Sequence, residues 1–321
     1  MTEKKRLCTK SDIDGLVSGI LLKEMNLIDQ IMFCHPRDIE KGIIEIGSGD
    51  ITAGLPYKEN AHLAFDYYAG PATADSDRPN LIVDKKMPST SRVIYNYFGE
   101  HNFHNVSQDL LKTVDKGVSA DISIDEILYP TGWILLNYLI DQRTGLDNFG
   151  RFAMSNAVLI EKLTDWCREY NIWEILDLPD LEARLDLYFS CTESYKSQIL
   201  RCSSVHNNLV VVDMRAEDVL YPGNRFMTYA LFPECNVSLQ IMNHKSGTRT
   251  IFVVGKSFLD RSLATNVGQI MKSNGGGGHA NAGTCEVDNE IAEKVQKGLI
   301  NALKYGIFKN LFMGYHDYYF P

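Results

Sequence analysis

Over the first hundred residues, short apolar runs alternate with longer stretches whose apolar positions recur at helical spacing. RLCT predicts a strand, and GLVSGILLKEM predicts the amphipathic helix that follows it. QIMFCH, HLAFDYY and NLIVDK predict further strands, and SRVIYNYFGEH a second helix. Strands that alternate with helices give a mostly parallel sheet with helices on both faces. Ligands of such sheets bind beyond the carboxyl ends of the strands. Asp12, Asp14 and Asp66 all fall at or just after such ends.

From WILLNYLIDQ through LIEKLTDWCREY the apolar spacing is helical, and LEARLDLYFSCTESYKSQILRC is polar enough to be a helix bridging two domains. Strand character returns near Asn208 with LVVVDM, then TYALFP, SLQIMN and TIFVVGKS; VGQIMKS predicts a helix and TCEV a strand. The expected fold is α/β: an N-terminal, mostly parallel sheet with helices on both faces, and a smaller C-terminal α/β domain with a mixed sheet. The expected boundaries are residues 1–180, a linker helix at 181–206, a ligand-binding domain at 207–305 and an aromatic tail at 306–321.

Length and composition narrow the class. The 321 residues suffice for two cores, and 45% hydrophobic with 23% charged residues is the balance of a globular protein. No apolar run approaches the roughly 20 residues that span a bilayer, and MTEKKRLC lacks the apolar core of a secretory signal. Seven scattered cysteines with no CxxC pair predict reduced thiols in a cytoplasmic protein. A net charge of −9 argues against long nucleic acid as partner but leaves small phosphorylated ligands open, since a few local donors outweigh a diffuse field.

The segment MKSNGGGGHANAGTCEV carries four consecutive glycines, Gly275, Gly276, Gly277 and Gly278, followed by His279. Glycines reach positive φ and let backbone N–H groups approach a ligand, which makes an anion-binding nest. His279 adds a donor, and Arg225 in GNRF and Arg261 in FLDR precede the loop; arginine suits phosphate oxygens. The alternative for a glycine run is a flexible surface turn.

VGKSFLDRS followed by VGQIMKSNGGGGHANAGTC resembles the C-terminal substrate domain associated with DHH phosphoesterases, and GNRF at Gly223–Phe226 fits the same domain. TKSDIDGLVSGILL resembles the first motif of that family, FDYYAG stands where the DHH triplet belongs, and VDKGVSA at Val114–Ala120 where a fourth-motif aspartate belongs. LYPTGWILLNYLIDQRTGL resembles a connecting segment of an exopolyphosphatase-like bacterial branch. The likeness runs from about Leu7 to Ala302. It implies a two-metal hydrolytic centre, usually manganese, at Asp12, Asp14, Asp66 and Asp115. It also implies substrate binding by Arg225, Ser257, Arg261 and the Gly275–His279 loop.

Several positions depart from the family pattern. Lys10 replaces a histidine, Gly54 stands where the second-motif aspartate belongs, Tyr67 and Tyr68 replace both DHH histidines, and Val118 stands where the branch often has an aspartate. Asp50 fills the second-motif role only if the register slips. A phenol with a pKa near 10 is a poor ligand for manganese or magnesium, and an ammonium repels cations. The expectation is therefore no cofactor, or at most a residual manganese or magnesium site on Asp12, Asp14 and Asp66. Asp12 or Asp14 then caps the following helix beside Lys10. Ser89 or Thr90 is expected to cap a helix, and His35, His62, His101 and His104 receive no role.

Two functions follow. The first is a DHH-phosphoesterase-like protein that binds a nucleotide, short oligonucleotide or polyphosphate without hydrolysing it, in a binding, regulatory or assembly role. The alternative is an active metal-dependent phosphodiesterase or exopolyphosphatase-like hydrolase. The tail, with Phe308, Phe312, Tyr315, Tyr318, Tyr319 and Phe320, is expected to dock on its own chain or to build a homo-oligomer.

Overall fold

The computed structural model describes residues 4–68 and 78–304; the aromatic tail lies outside them. Contacts divide the chain into two units, Met1–Ser190 and Cys191–Pro321, and the cut falls within the helix Pro179–Arg201.

The first unit is built on five strands, β1 (Lys5–Thr9), β2 (Ile28–Phe33), β3 (Asp50–Ala53), β4 (Leu63–Asp66) and β5 (Leu81–Val83), in the order β2-β1-β3-β4-β5 and all parallel. Leu7 and Cys8, neighbours on β1 that point to opposite faces, are both fully buried, as a strand covered on both sides requires. On one face the helix Ile13–Glu24 packs against Thr90–Phe98 and Asn156–Glu169. On the other, Cys8 meets Cys34, Ile39 of the short helix Pro36–Glu40, Ile46 and Leu55. The turn from β1 into the first helix is tight. A Cβ on Gly15 would lie 2.0 Å from the Lys10 carbonyl oxygen, so only glycine lets the helix start directly over the strand end.

The second unit carries a mixed sheet of six strands, β6 (Ser203–His206), β7 (Leu209–Asp213), β8 (Val237–Asn243), β9 (Arg249–Lys256), β10 (Gly277–His279) and β11 (Ala282–Asp288), in the order β10-β11-β9-β8-β7-β6. Only β7 and β8 run parallel; the other pairs are antiparallel. Helices Val267–Ser273 and Asn289–Leu303 close one face, through Val267, Met271, Ala292, Leu299 and Leu303 against Leu209, Leu239, Phe252 and Cys285.

TYALFP, expected to be a strand, instead gives its first four residues to the helix Met227–Leu231. The Asn224 carboxamide and carbonyl accept from Phe226 N and Met227 N, both at 2.9 Å, which starts a turn, and Pro233 follows the helix end. Inside that turn the Tyr229 hydroxyl donates to the Gly255 carbonyl at 2.6 Å. Strands β3, β6 and β10 have no apolar run that marks them in the sequence. All seven cysteines are free. Among the described residues no helix is long and apolar enough to cross a membrane.

Candidate active site

The carboxyl ends of β1 and β4 bring three aspartates and one lysine into a single crevice. Asp12 leaves β1 in extended conformation and caps the first helix, its Oδ1 accepting from Gly15 N at 3.0 Å. Its Oδ2 stands 3.4 Å from Lys10 Nζ, so both the cap and the ion pair expected of this residue are present.

Asp14, only 2% exposed, has both oxygens committed. Oδ2 accepts from Thr90 N at 3.1 Å and Oδ1 from Ser91 N at 2.8 Å, at the N-terminus of the helix Thr90–Phe98. Burial raises the pKa of Asp14 against the pull of Lys10 and the Ser91 N–H. Ser89 caps the same helix, accepting from Arg92 N at 3.1 Å.

Asp66, at the end of β4, accepts from Tyr68 N at 3.0 Å. Burial pushes its pKa up to about 6, although the Tyr68 N–H and Lys10 oppose the rise. Burial likewise raises the Tyr67 phenol, which stays neutral at ordinary pH, while Tyr68 is 64% exposed.

Lys10 is the charge at the middle. Burial works against its ammonium, but Asp12 and Asp14, with a hydrogen bond to Asp12, hold its pKa up to about 12. Gly54 sits at φ +63°, and a Cβ built on it would lie 3.2 Å from Lys10 Cε, 3.7 Å from Lys10 Nζ and 3.1 Å from Thr90 Oγ1. The amine therefore stands where a side chain at this position would project. Asp50 does not replace it: Arg6 holds its two oxygens through Nε at 2.8 Å and Nη2 at 3.1 Å, and Gly47 N donates to it at 2.8 Å.

Asp115 is also answered within the protein, by Ser89 Oγ at 2.7 Å and Arg92 Nε at 2.9 Å. Arg143, not singled out in the sequence, is held protonated against its burial by Asp141 and by the field of Asp12. No sequence signal links it to Asp12, which lies far away along the chain. His35 caps Pro36–Glu40. Held this way, the donors do not fit a pair of divalent ions. Among the described residues no group of three or more His, Cys, Asp and Glu is placed to hold a metal, and an ammonium occupies the ground between the aspartates and Gly54.

Of the expected ligand set, Arg225, Ser257, Arg261 and His279 come to one end of the second unit's sheet, while Gly275 and Gly276 lie against the helix Val267–Ser273. Arg225 lies over the Phe226 ring at 4.3 Å, Phe226 packs edge-on against Phe258 at 5.1 Å, and Ser257, on the chain beside it, accepts from Leu259 N at 3.2 Å. Arg261 Nε donates to the Phe258 carbonyl at 3.4 Å. At the same end Lys256 N donates to the Asn281 carbonyl at 2.9 Å, next to His279, whose exposed ring accepts from Asn281 N at 3.3 Å.

The glycine run is a paired hairpin. Gly277, Gly278 and His279 face Thr284, Gly283 and Ala282, and Gly275 N and Gly276 N donate to Lys272 and Met271 carbonyls. A Cβ on Gly276 would lie 2.1 Å from the Thr284 carbonyl oxygen, and one on Gly278, at φ +151°, 2.3 Å from that of Ala282. At these two positions close backbone approach is enough to require glycine.

No family model matches the chain, and no curated protein does. Among solved structures, the chain is similar to a pGpG-specific phosphodiesterase, PggH, from Vibrio cholerae: 44% identity, 94% of this chain and 100% of that one covered, TM-score 0.83. Exonuclease RecJ bound to manganese matches at 11% identity over 94% of this chain and 90% of its own, with TM-score 0.49. CDC45 from Entamoeba histolytica matches at 10% identity over 94% and 95%, also with TM-score 0.49. Similarity at these last two levels speaks to neither activity nor ligand.

Proposed function

The chain belongs to the DHH phosphoesterase family, and on that footing we propose that it is an active phosphodiesterase whose substrate is a short linear dinucleotide of the pGpG type. The observation that carries this reading is the 44% identity running the full length of a phosphodiesterase with that specificity. It favours the hydrolase of the two functions the sequence left open over a binding-only role.

In the reaction, a water oxygen bonds to phosphorus, the P–O3′ bond breaks, the 3′ oxygen leaves with a proton, and two 5′-nucleotides result. Lys10 supplies a fixed positive charge for the non-bridging oxygens, where negative charge builds in the transition state. Asp66, at the end of β4 with its pKa pushed up to about 6, takes the proton of the attacking water. Asp14, locked by the Thr90 and Ser91 amides, keeps the Lys10 ammonium in position.

The test is incubation of the purified chain with pGpG, once with manganese and once with a chelator, and separation of the GMP formed. GMP in either condition supports the reading, and the pair measures metal dependence directly. No GMP in both would overturn it. Lys10→Met should lower kcat by about 100-fold, the usual size of removing one preorganised transition-state charge.

A further inference from the structure

A cavity of about 730 Å³ opens beside the crevice and shares Gly54 and Asp66 with it. Its apolar lining includes Leu55, just after β3, Phe65 on β4, and Leu81 and Val83 on β5. One wall is the Tyr57 ring, with the Arg78 guanidinium 4.5 Å from its centroid. That wall is held in place, because the Tyr57 hydroxyl donates to Asn80 Oδ1 at 2.8 Å and the Asn80 amide donates to the carbonyls of Glu59 at 3.1 Å and Ala61 at 2.6 Å. Glu40 and Glu59, both exposed, stand among the lining groups. No step of the hydrolysis uses any of these groups except Asp66.

Size, polarity and place all bear on the occupant. The volume lies within the usual range for small-molecule sites, and an apolar lining with a few polar groups is their usual make-up. A fixed aromatic ring carrying a guanidinium suits a flat π system, since every nucleobase has a face to stack. Because Gly54 and Asp66 line both the cavity and the crevice, a group attached to a phosphate in the crevice lies next to the cavity. Carboxylates among the lining groups favour a base edge that donates. Guanine offers adjacent N1–H and N2–H₂ donors to an acceptor-only group, whereas adenine turns an N1 lone pair toward it.

We propose that this cavity is a guanine pocket, holding the base of the nucleoside that flanks the scissile phosphate. The assignment rests on the phosphodiesterase reading and adds the determinant of base choice. Leu55, Phe65, Leu81 and Val83 receive the ring, the stacked Tyr57–Arg78 pair forms one wall against it, and Glu40 and Glu59 read its donor edge.

Calorimetry on the full chain with GMP, AMP and ribose 5-phosphate tests the pocket without relying on turnover. GMP should bind roughly tenfold or more tightly than ribose 5-phosphate, the usual effect of one stacked base, and more tightly than AMP. Leu81→Trp, which fills the cavity, should remove the advantage of GMP over ribose 5-phosphate. The double variant Glu40→Gln, Glu59→Gln changes only exposed groups and keeps the test decisive if Leu81→Trp fails to fold; it should remove the preference for GMP over AMP. Equal affinities for all three ligands, or a GMP preference that survives both variants, would overturn the pocket. GMP selectivity that depends on these residues in a protein that releases no GMP from pGpG would sustain the pocket and sink the phosphodiesterase. Turnover of pGpG with selectivity untouched by either variant would do the reverse.

Discussion

The carboxylate crevice of the first unit and the glycine hairpin of the second are both departures from ordinary sequence, but they are built in opposite ways. In the crevice the chemistry lies in side chains, each answered by another group: Asp12 by Lys10 and Gly15 N, Asp14 by two helix amides, Asp115 by Arg92 and Ser89. In the hairpin the side chains are missing, and backbone packs on backbone at Gly276 and Gly278. A constellation of charged residues can therefore change its chemistry by exchanging one partner, as Lys10 shows, while a glycine run is constrained by space before any ligand arrives. Four glycines in a row read as freedom, yet the structure uses two of them for contact.

The largest expected effect tests the hairpin. Gly276→Ala puts a Cβ 2.1 Å from the Thr284 carbonyl oxygen, and overpacking of this kind should cost about 3 kcal/mol in chemical denaturation. Gly277→Ala, with nothing within 4 Å of its Cβ, should stay within about 0.5 kcal/mol of the parent. Equal losses at the two positions would break the comparison. Next in size, Lys10→Met leaves Asp12 and Asp14 without their cation. Such a break costs about 3–5 kcal/mol when fully buried, and with the Lys10 side chain 30% exposed the expected loss is about 2 kcal/mol.

Ligand binding gives smaller effects. Arg261→Ala and His279→Ala should each weaken binding of short polyphosphate by about 1.5 kcal/mol without lowering the melting temperature, since charge-assisted bonds are worth about 1.5–3 kcal/mol and both residues are exposed. Unchanged affinity in both would mean that the hairpin end serves packing alone. A further effect is a pH dependence confined to the crevice. Asp66 has a folded pKa pushed up to about 6 from an ordinary 3.8, so folding takes up a proton there. Its stabilising contribution is complete below the ordinary value and is lost as pH rises through about 6. Asp66→Asn should therefore raise the melting temperature more at pH 8 than at pH 4.

What could be read from the sequence follows from how local each signal is. β1 and the helix after it, or β7 and β8, declare themselves by apolar runs and periodicity. β10 did not, because Gly277 and Gly278 have no strand propensity and pair only because β11 lies beside them. TYALFP looked like a strand from its residues, and the turn at Asn224 made it a helix. Asp12, Asp14 and Asp66 were legible as strand-end carboxylates, and Lys10 as the neighbour of Asp12. The partners of Asp14 and Asp115 were not, since backbone amides at Thr90 and Ser91 and the Arg92 side chain arrive from a helix far along the chain. The cavity beside Asp66 was invisible for the same reason: Ala64 and Phe65 come from β4, Leu81 and Val83 from β5, and Gly54 and Leu55 from the turn after β3.

The contact between Gly54 and Lys10 also limits which sequences can be reached from this one. A single Gly54→Asp change places its new carbon 3.2 Å from Lys10 Cε, and in a backbone conformation, φ +63°, that resists side chains. Lys10→His alone removes the cation and leaves Asp12 and Asp14 facing each other without it. Each change is unfavourable on the background where it would first occur, and only together with Tyr67→His and Tyr68→His does the set offer metal ligands in place of the ammonium. Their effects are therefore not additive. A library that changes one of these residues at a time meets a loss at its first step.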